Sequence, residues 1–133
     1  MDYLRKTGLD NVIRSLKQPV LGICIGMQLM CSYSEEGGGA ECLGIFPDTK
    51  VIRFSPANKE KIPHMGWNSL GNMNGKLFNG IAEGSYVYFV HSYFVPCNGF
   101  TTSQCNYAGN FSASMERGNF MAVQFHPEKS GAT

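Results

Sequence analysis

Apolar and polar positions follow two rhythms along this chain, and the rhythm changes at Cys24. The run Val20–Ile23 is apolar throughout, the pattern of a short buried strand. It stops at Cys24, bracketed by Gly22 and Gly26, and residues 27–31 resume as an apolar, helix-like stretch. Upstream, Leu4, Leu9, Val12, Ile13 and Leu16 recur at helical spacing. Gly8 is placed to break that span into a short turn and a longer outer-layer helix, with Asp10 near the second start. Downstream the segments read as strands. Residues 50–54 alternate as a strand, and 85–90, 100–105, 111–116 and 119–125 read as further strands. Turn chemistry falls at 107–110, and a tight hairpin at 117–119. Residues 34–42, with two Glu and three consecutive Gly, read as a mobile loop. Residues 59–61 read as a solvated turn and 62–70 as a turn-like stretch. The expectation is an α/β domain, with a parallel core near Cys24 and antiparallel pairing through the second half.

Composition narrows this. At 133 residues the chain is long enough for one domain, 1–133, with a normal core. Charge is balanced at +1, and no Lys/Arg run exceeds two residues, so neither a nucleic-acid nor an anionic-membrane surface is indicated. No apolar run approaches the ~20 residues of a membrane helix, and the first residues lack a signal peptide's apolar core. Five Cys with no C-x-x-C pair argue against a disulfide framework or a structural zinc site, and for reduced thiols in a cytoplasm. The three His are far apart, so no metal site is expected, and nothing asks for a cofactor. The Gly37-Gly38-Gly39 triplet is followed by no Lys-Ser/Thr, which argues against a phosphate cradle.

The chemistry sits at two strand ends. Gly22-Ile23-Cys24-Ile25-Gly26 is the G-x-C-x-G form of a nucleophile elbow, in which a sharp strand-to-helix turn lifts the nucleophile above the sheet edge. Small flanking residues let the backbone pack closely there, and the nearby helix N-terminus is expected to favour the Cys24 thiolate. The Ile25 N–H is positioned to donate to an oxyanion. The strand through Phe125 runs into His126-Pro127-Glu128. His126 can accept the thiol proton, and Glu128 can orient the imidazole. Gln28, four residues after Cys24, shares its helix face. His91 has a weaker claim to be the base, because no acidic residue follows it closely. For His64 and Trp67, residue type alone favours a buried Trp capped by His over an exposed recognition pair.

Residues 22–28, His91-Ser92-Tyr93 and residues 124–130 resemble the signatures of class I (triad) glutamine amidotransferases. Residues 63–68, Pro-His-Met-Gly-Trp-Asn, narrow the resemblance to the glutaminase subunits of imidazole glycerol phosphate synthases, in histidine biosynthesis. The resemblance covers nearly the whole chain. It implies a three-layer, flavodoxin-like domain with a mixed sheet. It implies Cys24, His126 and Glu128 as the catalytic residues, and Gly26, Gln28, His91, Ser92 and Tyr93 as glutamine-binding residues. His64, Trp67 and Lys129 are implied to face a cyclase subunit, a (β/α)8 barrel that receives ammonia. The family domain is larger than this chain, so the sequence reads as truncated at both ends. The sheet is expected to lack the strands and the glycine-rich oxyanion loop that the family places before the elbow, and the chain is expected to stop near residue 130, where a last helix should begin. Glutaminase activity is therefore expected to be weak. Two other readings fit the elbow and His-x-Glu: the glutaminase domain of a different amidotransferase, and a non-catalytic fragment that only docks. A cysteine peptidase would need an extended groove, for which there is no sign.

Overall fold

The computed structural model describes residues 1–55 and 60–131. Residue 59 of the expected turn at 59–61, and residues 132–133 at the expected start of a last helix, lie outside the described residues.

Two short helices, α1 (Asp2–Thr7) and α2 (Leu9–Ser15), open the chain. Gly8 separates them with φ 75°, a left-handed conformation that ends the first helix without a Cβ clash. Strand β1 (Val20–Ile23) leads through Cys24 into α3 (Ile25–Leu29). The remaining strands are β2 (Tyr33–Ser34), β3 (Ala40–Glu41), β4 (Lys50–Arg53), β5 (His64–Ser69), β6 (Tyr86–His91), β7 (Tyr93–Phe94), β8 (Thr101–Asn106), β9 (Asn110–Arg117) and β10 (Phe120–Val123).

The central sheet has order β1-β10-β9-β8. Its β1–β10 pair is parallel, with Val20 opposite Phe120 and Ile23 opposite Val123, and the other pairs are antiparallel. The mixed sheet expected from the sequence is therefore present. The two faces of β10 supply two cores. Phe120 and Ala122 pack with Met27 of α3 and Met30 just after it, while Val123 and Phe125 pack with Val87 and Phe89 of β6 and Phe111 of β9. Three layers result: short helices on one face, the sheet, and on the other face a β5–β6 ribbon.

Three expectations are corrected. Residues 34–42 are not simply a loop: β2 and β3 pair antiparallel across a 3-10 turn at Glu36–Gly38. Gly37, Gly38 and Gly39 all have positive φ, which is why glycine occupies all three positions. Residues 62–70 are mostly strand rather than turn, because β5 pairs in full register with β6, from His64 opposite His91 to Ser69 opposite Tyr86. This ribbon alternates. His64, Val87, Phe89 and His91 point inward, whereas Met65, Trp67 and Tyr86 are exposed. The reading of Trp67 as core is overturned: it is 54% exposed, while His64, at 3%, takes the interior.

Candidate active site

Cys24 sits at the end of β1 with φ 54° and ψ −105°, a conformation that non-glycine residues rarely adopt and that costs about 1–3 kcal/mol. Its N–H donates to Val123 O at 2.8 Å, so the parallel β1–β10 pairing continues to the turn itself. Gly22 makes the close approach of strand and helix possible. A Cβ there would lie 2.9 Å from the Gly26 carbonyl carbon and 2.9 Å from the Met30 methyl. Gly26 differs from expectation, since a Cβ at that position would meet nothing within 4 Å.

The sulfur faces three groups. Cys24 Sγ donates weakly to Val90 O at 3.9 Å, and Gln124 Nε2 donates to it at 3.6 Å. The Ile25 N–H also faces it. The expected thiolate preference is not what this environment gives. Burial pushes the Cys24 thiol up; the Ile25 N–H and the Gln124 amide pull it down, and the Glu128 and Glu36 carboxylates raise it further. A helix of five residues is too short to outweigh that burial.

β10 delivers His126 on the neighbouring strand end. The His126 backbone N–H donates to Tyr88 O at 2.9 Å, which docks this end against β6. Its Nδ1–H donates to Glu128 Oε1 at 2.6 Å. Glu128 is held below the ordinary carboxylate range, first by its own backbone N–H and then by His126. With the proton fixed on Nδ1, the Nε2 lone pair is left to accept, and that atom is buried without a partner among the described residues. Cys24 and His126 are thus brought to adjacent strand ends without a hydrogen bond between them, an arrangement common before substrate binds.

A cleft of about 220 Å³ opens beside the sulfur. Gln28, Val90, His91, Ser92 and Tyr93 line it together with Cys24 and Ile25. Four of the five expected glutamine-binding residues therefore converge on Cys24, while Gly26 does not line the cleft. Gln28 is buried and donates from Nε2 to Tyr93 O at 3.2 Å and to Gln124 Oε1 at 3.1 Å.

His91 is engaged at both nitrogens. Tyr93 O can only accept, so His91 Nδ1 carries the proton that meets it at 2.9 Å. Burial holds both His91 and His64 down at about 4, and their mutual proximity adds to the lowering of His64, so both rings are neutral. His64 Nδ1–H then donates to His91 Nε2 at 3.0 Å, and His64 Nε2 accepts from Asn68 Nδ2 at 3.4 Å. The His64 ring is stacked between Tyr107 and Phe89, with centroids at 4.0 and 4.8 Å. His64 is therefore an interior residue rather than one that itself presents to a partner. Trp67 and Lys129 are exposed: Trp67 meets Tyr88 edge-on at 5.9 Å, and Lys129 Nζ lies 6.0 Å over the same ring. Gln124 and the His64–His91 pair were not singled out from the sequence. The signal for Gln124 was one amide in an otherwise apolar strand, Met-Ala-Val-Gln-Phe.

Residues 5–133 match the family glutamine amidotransferase class-I. The chain belongs to that family. It is 55% identical over 134 residues to the imidazole glycerol phosphate synthase subunit HisH of Bacteroides thetaiotaomicron, covering 100% of this chain and 67% of the relative. The corresponding subunit of Bacteroides fragilis is 54% identical over 98% of this chain and 66% of its own length. That of Escherichia coli K12 is 48% identical over 99% and 67%. The chain thus spans about two thirds of the length of these curated relatives. A glutamine amidotransferase structure from Thermotoga maritima superposes with a TM-score of 0.61 at 20% identity, over 92% of this chain and 46% of that one, and supports the fold. Among the described residues no helix is long and apolar enough to cross a membrane. No group of three His, Cys, Asp or Glu among them is placed to hold a metal ion.

Proposed function

We propose that this amidotransferase domain hydrolyses the side-chain amide of glutamine and passes the ammonia to the cyclase subunit of an imidazole glycerol phosphate synthase. The observation that carries the reading is His126: its Nδ1–H is fixed on Glu128 while Nε2 is buried and without a partner among the described residues, and the residue follows three positions after the end of β10, the strand paired with β1 and Cys24. His126 Nε2 takes the Cys24 thiol proton, and the sulfur attacks the amide carbon of glutamine in the cleft. The Ile25 N–H donates to the oxyanion. His126 returns the proton to the leaving nitrogen, ammonia departs, and a thioester remains. Water, deprotonated by His126, attacks that thioester; glutamate leaves and the Cys24 thiol is restored. Glu128 holds the imidazole in one tautomer throughout.

All three relatives quoted are imidazole glycerol phosphate synthase subunits, which supports this synthase over another amidotransferase. The exposed Met65, Trp67 and Tyr86 on the β5–β6 ribbon, with Lys129 beside Tyr88, support a docking face for the cyclase. Five free thiols support a cytoplasmic setting. The test is glutamate release by the chain mixed with the cyclase subunit. Release that disappears in Cys24→Ala and in His126→Ala is expected. Release that survives Cys24→Ala would overturn the reading.

A further inference from the structure

We propose that the buried amides of Gln124 and Gln28 form a positioning pair for Cys24, in which Gln124 presents a donor to the sulfur and Gln28 fixes which end of Gln124 faces it. The inference rests on Cys24 being the nucleophile, and names two buried amides that act on it, of which Gln28 also lines the cleft.

The orientation of both amides follows from one atom. Tyr93 O lies 3.2 Å from the end of the Gln28 amide and has no hydrogen to give, so that end is the NH2 group. The same Nε2 lies 3.1 Å from the Gln124 amide, and its second hydrogen requires an oxygen there. Gln124 must then turn its own NH2 to Cys24 Sγ, at 3.6 Å. Gln124 is completely buried and Gln28 is 7% exposed, so no solvent competes for these bonds. The other hydrogen bonds of this chain tie it to the backbone: Gln124 N–H donates to Ala113 O at 2.8 Å, and Tyr93 O also takes the His91 proton. Strand alternation places Gln124 on the α3 face of β10, along with Phe120 and Ala122. Gln28 reaches it from α3.

Beside the Ile25 N–H, which favours the thiolate, the sulfur has two further contacts, and they differ in what ionisation does to them. Val90 O accepts from the thiol and has nothing to offer a thiolate. The Gln124 N–H serves the thiol weakly and the thiolate well. Removing the proton therefore releases the sulfur from Val90 and leaves it held by the Ile25 N–H and by Gln124, the one side-chain donor it has among the described residues. The charged groups that act on Cys24, Glu128 and Glu36, are both carboxylates and oppose the thiolate. An amide donor is a neutral counterweight to them. Gln28 Oε1 makes no hydrogen bond among the described residues, so this role leaves it available to the cleft.

The experiment is the pH profile of Cys24 alkylation by iodoacetamide, read peptide by peptide by mass spectrometry, with exposed Cys97 as internal reference. In Gln124→Met, which keeps the volume and removes the donor, the Cys24 midpoint is expected to rise by about one pH unit, roughly tenfold less thiolate at neutral pH. Cys97 should be unmoved. Gln28→Met should shift Cys24 in the same direction by less, and the double variant should match Gln124→Met, because the two act in series. A folded Gln124→Met whose Cys24 midpoint is unchanged overturns the proposal, since a purely structural amide would alter stability and not this profile. Should Gln124→Met fail to fold, Gln28→Met decides alone by the same readout. The outcome is separable from the proposed activity: glutamate release surviving Cys24→Ala would remove the nucleophile, whereas an unmoved midpoint removes only the amide pair.

Discussion

The buried His64–His91 pair makes stability depend on pH in a window where few other groups titrate. Both imidazoles are held at about 4 in the fold, against 6.5 for the free side chain. In the unfolded chain each binds a proton as pH drops through 6.5, while the native pair stays neutral until about 4. The unfolded state then holds more protons, so stability rises with pH through this window, is complete above 6.5 and is lost progressively below it. Between pH 7.5 and 5.0 the difference is about 2 kcal/mol per ring, or about 4 kcal/mol for the pair. Against a usual total of about 5–15 kcal/mol this is large, and for an m-value near 2 kcal/mol/M it moves the urea midpoint by about 2 M. Glu128, held low, contributes stability present above its ordinary range and lost only at more acidic pH, so it does not enter. The raised Cys31 and Cys105 thiols act on the alkaline side.

The assay is urea unfolding at pH 7.5 and 5.0, followed by far-UV circular dichroism, in wild type and in His64→Phe. Phenylalanine keeps the ring between Tyr107 and Phe89. It removes one titrating group, so the pH dependence should fall by about half, to roughly 2 kcal/mol, whatever the variant's absolute stability. Wild-type stability equal at the two pH values would refute the reasoning. So would a His64→Phe variant with the full wild-type dependence.

Glu128→Gln should lower glutamate release on the order of 100-fold; the figure is at the low end for acid–base machinery because Glu128 is 54% exposed and water can partly replace it. Trp67→Ala should weaken cyclase binding by about 2 kcal/mol, roughly 30-fold by calorimetry, with little change in the urea midpoint, because the indole is more than half exposed. Equal affinity would remove the ribbon from the docking face. Gly22→Ala should destabilise by about 1–3 kcal/mol in urea titrations, because its methyl meets the Gly26 backbone, which cannot yield as a side-chain tip could.

What could be read from the sequence was local. The elbow is five consecutive residues, and His126 and Glu128 are two apart, so each carries its geometry within a single turn. β4 was legible because Lys50–Phe54 alternates, and β6, β8, β9 and β10 because strand-forming runs are separated by turn signals; the parallel core was expected near the elbow, but its partner strand was not named. β5 was not: Pro63, Gly66 and Asn68 break its pattern, and only its register with β6 makes it a strand. Trp67 was misread for the same reason, since the face of a strand cannot be assigned before the strand is. The thiolate preference at Cys24 failed because a helix terminus is visible in sequence and burial is not.

The polar contacts that escaped sequence reading share a cause, which also says what they do. His64 and His91 are 27 residues apart, and Gln28 and Gln124 are 96 apart. Both pairs are buried, and both end on the carbonyl of Tyr93. A slip of one residue between β5 and β6 would point His64 outward and leave His91 Nε2 unpartnered. A slip between β1 and β10 would turn Gln124 away from Gln28 and Cys24. Buried polar groups of this kind penalise every register but one, because an unmet donor or acceptor in the interior costs about 1–3 kcal/mol. The registers they fix are those that bring Cys24 to Val90 and His126 to Tyr88 along β6. The precision of the site thus rests on buried side chains, two of them lining the cleft and two behind it, set by pairings no single stretch of sequence contains.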